Sequence, residues 1–304
     1  MAENGSVYKS GFVALVGRPN VGKSTLVNAI LMQKIAAVSP KPQTTRRRQL
    51  GIRTTETSQV IFMDTPGVHR PLHKLGVFMN EEAAAVLEDA DVIVWLVDVS
   101  QKPNEEDQML AELMVAIKEL PPVILALNKV DLLSPDLLPQ RQANYLELLP
   151  QVIPHALSAR YGDGLDPLLE KILEILPEGP QYFDEGQITD LYEREIAAEF
   201  IREAALLHLR DEVPHSIAVR IDEYKERDDS GAFIAATIFV SRESHKGMVI
   251  GQKGGMLKKI GSSARQEIEV MSERKTFLEL RVKVNKNWRN NPSVVHRLGY
   301  IAKK

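Results

Sequence analysis

Short apolar runs alternate with amphipathic stretches through the first half of the chain. The runs span residues 12–16, 60–63, 92–97, 123–127 and 152–157, and a cluster of polar or small residues follows each of them. This alternation predicts an α/β domain in which a mixed, mostly parallel sheet carries helices on both faces. Because ligands of such sheets bind beyond the carboxyl ends of the strands, we expect the polar clusters to meet in one crevice.

The pattern changes after the last helix of this domain. Leucine and isoleucine repeat with helical spacing between positions 165 and 176, and Pro177 and Pro180 then end the helix. We therefore predict a first domain over residues 8–177, a linker over 178–190 and a second domain over 191–304.

A different order of elements is predicted beyond the linker. The elements are a helix with Ile196, Phe200, Ala204 and Leu207 on one face, strands over 216–224 and 232–240 joined by a turn at 227–231, a short helical stretch before a Gly/Lys-rich loop, a helix over 256–271 and a strand over 277–284. The resulting order, α-β-β-α-α-β, predicts an α+β domain.

Length and composition agree with two globular domains, each with its own hydrophobic core. A chain of 304 residues is long enough for two domains, and 44% apolar with 26% charged residues is typical of globular rather than disordered protein. The absence of cysteine excludes disulfides, thiolate metal sites and a cysteine nucleophile. The N-terminal residues lack the apolar core of a signal peptide, and the most apolar run, 92–97, is too short to span a bilayer, so we expect a cytoplasmic protein.

Charge is distributed unevenly along the chain. The net charge is only −3, yet 14 Lys and Arg face four Glu between His245 and the C-terminus. Such a basic end indicates a polyanionic partner, although a solvated basic face accounts for the charge equally well.

Residues 17–24, GRPNVGKS, match the phosphate-binding loop G-x-x-x-x-G-K-[ST], with a strand predicted before them and a helix after them. The glycines let the backbone approach phosphates, and the loop amides and the helix N-terminus supply positive potential there. We expect Lys23 at the β- and γ-phosphates and the Ser24 hydroxyl on Mg²⁺. The nucleotide-binding candidates of this loop are Gly17, Arg18, Pro19, Asn20, Val21, Gly22, Lys23 and Ser24.

A second motif follows the strand at 60–63. Asp64 can hold the metal through a water molecule, and the Gly67 amide can sense the γ-phosphate. The candidate residues here are Asp64, Thr65, Pro66, Gly67 and Val68.

Base specificity is predicted from the motif after the strand at 123–127. The Asp131 carboxylate can accept hydrogen bonds from the N1–H and the 2-amino group of guanine, whereas adenine offers no such pair, so ATP should be rejected. Lys129 would lie over the base. The candidates are Asn128, Lys129, Val130 and Asp131, with Ser158 and Ala159 after the last strand, where a backbone amide is expected to face guanine O6.

These motifs, in this order and each at a strand end, resemble the translation-factor class of P-loop GTPases. The resemblance implies GTP and GDP as ligands, Mg²⁺ as cofactor, and a switch threonine that closes over Mg²⁺ and the γ-phosphate. Within KPQTTRRRQ, residues 41–49, Thr45 is the preferred candidate and Thr44 the alternative.

One position departs from Ras-like enzymes. Val68 stands where those enzymes place the glutamine that orients the attacking water, and a valine side chain cannot do so. GTPases with the form G-x-P-N-x-G-K-S resemble those that use the asparagine to hold K⁺. We therefore predict slow hydrolysis stimulated by K⁺ or by a partner, with Asn20, Lys23, Thr45 and Gly67 as the catalytic residues.

The basic half contains the loop Gly251-Gln252-Lys253-Gly254. A G-x-x-G loop lets the backbone approach a nucleic-acid phosphate chain, as in KH domains, and the α-β-β-α-α-β order agrees with a type II KH fold. The RNA-binding candidates are Lys246, Gly251, Gln252, Lys253, Gly254, Lys258 and Arg265, although each basic residue could equally be a solvated charge.

A P-loop G domain joined to a KH domain resembles the Era family of bacterial ribosome-assembly GTPases, over nearly the whole chain. The resemblance implies binding near the 3′ end of small-subunit (16S) ribosomal RNA, a role in maturation of the 30S subunit, and peripheral association with the cytoplasmic side of the cell membrane. We expect no DNA partner.

Three alternatives to this RNA-binding switch remain open from the sequence. The chain could be a scaffold in which GTP only stabilises the fold. It could be a membrane-surface GTPase whose C-terminal segment, residues 287–304, binds anionic lipid through Trp288, Val294, Val295, Leu298 and Tyr300. The weakest alternative is a small-molecule phosphotransferase, for which no acceptor pocket is indicated.

Overall fold

The computed structural model describes residues 7–41, 44–226, 231–298 and 300. Within them the chain divides into two compact units. The second comprises Lys34–Thr44, Pro71–Phe78 and the chain from Leu191 onward, and the first comprises the remainder.

The first unit is built on a six-stranded sheet with the order β2-β3-β1-β4-β5-β6. All neighbouring strands are parallel except β2, which runs antiparallel to β3, so the predicted mixed, mostly parallel α/β sheet is confirmed. Its strands are β1 (Lys9–Val16), β2 (Gln49–Thr54), β3 (Ser58–Asp64), β4 (Val92–Asp98), β5 (Val123–Asn128) and β6 (Ile153–Ala156). Its helices are α1 (Lys23–Leu31), α2 (Lys74–Glu88), which begins in the second unit, α3 (Glu105–Val115), α4 (Leu138–Leu146) and α5 (Leu165–Ile175).

Burial explains the apolar runs within the central strands. Strands β3, β4 and β5 are buried along their whole length, as expected for parallel strands covered on both faces. Trp95 of β4 meets Tyr145 of α4 edge to face, with ring centroids 5.9 Å apart. These strands therefore form a rigid support for the polar residues at their carboxyl ends.

The second unit has the predicted α-β-β-α-α-β order, followed by one short helix. Its sheet has the order β7-β8-β9, with β7 antiparallel and β9 parallel to the central strand β8. Alternate residues of β8, from Ile234 to Val240, pack in one core with the two long helices. The elements are α6 (Glu193–His208), β7 (Ala218–Glu226), β8 (Ala232–Val240), α7 (Glu243–Ile250), α8 (Gly255–Ser272), β9 (Thr276–Val284) and α9 (Pro292–Arg297).

One detail of the second unit corrects the sequence prediction, and another prediction lies largely outside the described residues. Leu207 does not join Ile196, Phe200 and Ala204 in the core: it is 49% exposed, because the core face of α6 is centred on Ile201 and Ala205 and Leu207 lies at the edge of that face. Most of the predicted turn at 227–231 lies outside the described residues; only Gly231 is described.

The described residues of the C-terminal segment, 287–298 and 300, do not present a free apolar face. Trp288, Val295 and Tyr300 are buried, and Trp288 stacks on Tyr300 and donates from Nε1 to the Ser216 carbonyl at 2.8 Å. Three of the residues on which lipid binding depended thus pack against protein, which disfavours the membrane-surface alternative; residues 299 and 301–304 lie outside the described part. None of the helices that the structure describes combines the length and hydrophobicity of a membrane span.

Candidate functional site

The phosphate-binding loop connects β1 to α1. Gly22 precedes α1 with φ +109°, and a Cβ on it would lie 2.4 Å from the side-chain nitrogen of Asn128, so this position requires glycine. Lys23 is buried, and its ammonium donates to the carbonyls of Gly17 at 3.0 Å and Arg18 at 3.2 Å. Burial lowers the pKa of Lys23 to about 8, although Asp64 acts in the opposite direction. An anionic phosphate in this loop would raise the pKa of Lys23 again and favour its charged form.

Three oxygen-bearing side chains meet beside Lys23. The Ser24 hydroxyl donates to Asp64 Oδ2 at 2.8 Å and lies 2.8 Å from the Thr45 hydroxyl. Gln49 on β2 also donates to Asp64 Oδ2, at 3.1 Å. Thr44, the alternative switch residue, is instead bonded to the Lys41 carbonyl and to Ser39. The geometry thus places Thr45, and not Thr44, beside the predicted metal ligands.

The residues present fit Mg²⁺. Hydroxyl and carboxylate oxygens are the ligands that this ion prefers. Asp64 is fully buried, and its Oδ1 has no hydrogen-bond partner among the described residues, which is costly unless a cation or an ordered water satisfies it. Burial raises the pKa of Asp64, opposed by Lys23, Ser24 and Gln49.

Asn128 joins the base-reading motif to the phosphate loop. Its side-chain nitrogen donates to the Val21 carbonyl at 2.7 Å, and its oxygen accepts from the Ala159 amide at 2.9 Å. The Ser158 hydroxyl donates to Asp131 Oδ1 at 2.6 Å. One buried asparagine therefore holds three of the predicted motifs in register.

Lys129 is held by both the phosphate loop and the sheet. It adopts a left-handed backbone conformation, and its ammonium donates to the Asn20 carbonyl at 2.8 Å and to Asp98 at 2.7 Å. Although burial acts against it, bonding from Lys129 and Ser100 keeps the pKa of Asp98 below its usual value. Asp98 was missed in the sequence, yet it ends a buried strand, as the recognised motif residues do.

The Asp-Thr-Pro-Gly segment lies against the phosphate loop. The Thr65 hydroxyl donates to the Leu15 carbonyl at 2.7 Å, and the Val68 amide donates to the Gly17 carbonyl at 3.3 Å. The side chain of Val68 is buried in the core. It is therefore unavailable to a water molecule at the phosphates, in agreement with the sequence argument.

Arg18 is held by aspartates. Its Nε lies 3.3 Å from Asp107 and its Nη2 3.9 Å from Asp98. Asp107 is in the first turn of α3, in a capping box with Asn104, and sequence reasoning missed it because its partner lies far away along the chain. Arg18 thus ties the phosphate loop to α3.

The G-x-x-G loop precedes α8 in the second unit. Gly251 has φ +71°, and a Cβ there would lie 2.6 Å from the Met256 Cβ. Gly254, also at positive φ, is the N-cap of α8, so the positive end of an 18-residue helix faces the loop. Gln252 and Lys253 are exposed.

The other basic candidates lie on the flanking helices. Lys258 and Arg265 are exposed and two turns apart on α8, which places them on one face of that helix. Lys246 is half-buried on α7. The structure therefore places Lys258 near the loop at the start of α8, Arg265 two turns further along that helix, and Lys246 on the preceding helix.

Comparison with known proteins covers nearly the whole chain. Residues 12–129 match the family model of the 50S ribosome-binding GTPase, and residues 212–289 match the KH domain model. GTPase Era of Ruminiclostridium cellulolyticum is 48% identical over 98% of this chain and 99% of its own length, and GTPase Era of Halothermothrix orenii is 46% identical over 96% and 99%.

Two similar crystal structures each cover 97% of this chain and all of their own, at 42% identity. One is Era in complex with MgGDPNP and nucleotides 1506–1542 of 16S ribosomal RNA, with a TM-score of 0.92. The other is a variant of Aquifex aeolicus Era bound to GDP and AlF₄⁻, with a TM-score of 0.91.

Proposed function

The chain belongs to the Era family of GTPases, and from that membership we propose that it is a GTP-driven switch that binds the 3′ end of small-subunit ribosomal RNA and acts in 30S maturation. It is a GTPase with a G domain and a KH domain. The main observation in favour of a switch is the cluster of Ser24, Thr45 and Asp64 oxygens beside Lys23. Such a cluster suits a loop that responds to the γ-phosphate.

The motif residues of the G domain have the following proposed tasks. Lys23 and the amides of the phosphate loop bind the phosphates, Asp131 reads the guanine, and Ser24 and Thr45, with Asp64 through water, would hold Mg²⁺. When bound, Mg²⁺ supplies charge stabilisation on the phosphate oxygens. Thr45 and the Gly67 amide order around the γ-phosphate of GTP and are released after hydrolysis.

Multiple-turnover phosphate release separates this proposal from the scaffold alternative. We expect steady release by the wild-type protein and its loss in Lys23→Ala. A wild-type protein that binds GTP without releasing phosphate would support the scaffold.

Potassium stimulation is proposed from Asn20. This residue has a left-handed backbone with φ 64°, next to the phosphate positions of the loop, while Val68 is buried. We expect slow turnover in Na⁺ buffer, faster turnover in K⁺ buffer, and no difference between the two in Asn20→Ala. Equal wild-type rates in Na⁺ and K⁺ would refute the proposal.

The RNA half of the proposal rests on the loop at Gly251. A substitution at either loop glycine is strained by the positive φ, and one at Gly251 also meets Met256. With a single-stranded oligonucleotide of the ribosomal RNA 3′ end in a filter-binding assay, we expect Gly251→Ala with Gly254→Ala to weaken binding by about tenfold or more.

A matched glycine provides the control for this assay. A Cβ added at Gly186 would meet no atom within 4 Å, and the residue has no positive φ, so Gly186→Ala should bind RNA as the wild type does. Unchanged RNA affinity in the double loop variant would refute the KH contact. Cytoplasmic localisation and peripheral membrane association stay proposals drawn from the family resemblance.

A further inference from the structure

Residues 177–190, here called the strap, follow α5 and belong to the first unit. At the start of the strap, the Pro177 carbonyl accepts the Ser10 amide of β1 at 3.2 Å, and the Pro180 carbonyl accepts the Ser10 hydroxyl at 2.7 Å. Ser10 is buried. The segment that the sequence predicts as a linker is therefore bonded to the sheet from its first residues.

One glutamine of β3 holds the middle of the strap. Gln59 is fully buried, and its Oε1 accepts the amides of Tyr182 at 2.8 Å and Phe183 at 3.0 Å. Its Nε2 donates to the Phe183 carbonyl and to the Thr54 hydroxyl, both at 2.9 Å. A glutamine side chain has two acceptor and two donor positions, and all four are used here. Gln59 thus bonds the backbone of the strap as a neighbouring strand would.

The end of the strap covers the edge of β2. This strand is the last of its sheet, and the strap forms an antiparallel bridge to it. The Ile52 amide donates to the Ile188 carbonyl at 2.8 Å, and the Leu50 amide donates to the Asp190 carboxylate at 2.9 Å. Two backbone donors that an edge strand would otherwise leave to water are therefore satisfied by the strap.

The bond from Leu50 to Asp190 lies next to the proposed metal ligands. Gln49, the first residue of β2, is buried and pairs with Asp64 in the register of the sheet. Its side chain donates to Asp64 Oδ2 at 3.1 Å. Because Asp64 is fully buried, a donor lost from its carboxylate is costly. The peptide that follows Gln49 is thus fixed from one side by Asp190 of the strap.

We propose that Asp190 is a positioning residue of the nucleotide site, which fastens the strap to the start of β2 and so keeps Gln49 on Asp64. This inference rests on the proposed function, and it adds a residue outside the recognised motifs that sets the proposed magnesium site. All of the contacts on which it depends lie within the first unit.

The test measures how much Mg²⁺ the full-length protein needs to retain GDP. Release of a fluorescent GDP analogue is followed over a range of Mg²⁺ concentrations, and the midpoint gives the apparent affinity for the ion. We expect Asp190→Ala to raise this midpoint by about fivefold, while the affinity for the nucleotide in EDTA stays within about twofold of the wild type. Asp190→Asn keeps an acceptor oxygen for the Leu50 amide, so its midpoint should lie within about twofold of the wild type.

Hydrogen exchange at the Leu50 amide gives a second measurement, which does not depend on nucleotide. In the wild type this amide is bonded to Asp190, so it should exchange more slowly than in Asp190→Ala. Asp190→Asn should restore the slow exchange.

Asp184 of the strap gives the matched control. Its side chain is exposed, so Asp184→Ala should keep the wild-type midpoint and the wild-type exchange at Leu50. The inference is overturned by a wild-type midpoint in Asp190→Ala, by an equal rise in Asp190→Asn, or by unchanged exchange of the Leu50 amide. A wild-type protein whose release of GDP does not respond to Mg²⁺ would instead refute the magnesium site of the proposed function.

Discussion

Replacing Asn128 by alanine tests whether the nucleotide site depends on one buried side chain. Asn128 is 2% exposed and bonds two backbone groups, the Val21 carbonyl of the phosphate loop and the Ala159 amide after β6. The substitution leaves both groups without a partner. Each unsatisfied buried group costs about 1–3 kcal/mol, so the total is about 2–6 kcal/mol.

Most of this cost should fall on nucleotide binding. Without a nucleotide, water can reach the strand ends and satisfy the two groups in part, whereas a bound guanine nucleotide excludes that water. We therefore expect Asn128→Ala to weaken GDP binding by about 30-fold to 10⁴-fold, measured by calorimetry in the presence of Mg²⁺.

A second asparagine gives the matched control. The Asn291 side chain accepts the amides of Ser293 and Val294 at the start of α9 in the other unit. Asn291→Ala should cost about 1 kcal/mol of stability, as a lost helix cap does, and leave GDP affinity unchanged. A folded Asn128→Ala protein whose GDP affinity lies within about threefold of the wild type would refute the reasoning.

Three further predictions concern other parts of the molecule. Asp131→Asn exchanges an acceptor for a donor, so GTP affinity should fall about 10²–10⁴-fold and xanthosine triphosphate should be gained as a ligand in a competition assay; an unchanged preference for GTP contradicts this. Asp64→Asn removes the charge that faces the proposed metal, so addition of EDTA should no longer weaken GDP binding, and a wild-type response to EDTA would disprove the role. Burial and Lys259 lower the pKa of His208, so the unfolded state binds a proton more readily. The neutral His208 therefore stabilises the fold above its unfolded-state pKa, and this contribution is lost as pH falls through the lower folded-state pKa. Chemical denaturation from pH 7.5 to 5 should show a smaller loss in the free energy of unfolding for His208→Gln than for the wild type. The same pH dependence of that free energy in both proteins would contradict the prediction.

The sheet was predictable from local pattern except at its edge. Strands β3, β4 and β5 are continuous apolar runs because both of their faces are covered. The edge strand β2 was missed, since only Leu50 and Ile52 of its residues reach the core and polar residues alternate with them. Alternation of this kind is itself typical of a strand, but the arginines at positions 46–48 directly before it favoured the interpretation as a solvated turn.

The motifs at the strand ends were predictable, whereas their internal supports were not. Phosphate-binding and base-reading residues have fixed chemistry and spacing, so Lys23 and Asp131 can be found in the sequence alone. Asp98 and Gln49 support them through contacts to residues 31 and 15 positions away in the chain, which no periodicity reveals.

Thr45 differs from the other proposed metal ligands in its support. Ser24 belongs to α1 and Asp64 ends β3, so both are fixed by regular structure, while the described residues between Leu31 and Gln49 form neither helix nor strand. A signal from the γ-phosphate can therefore move Thr45 at lower cost than its two neighbours.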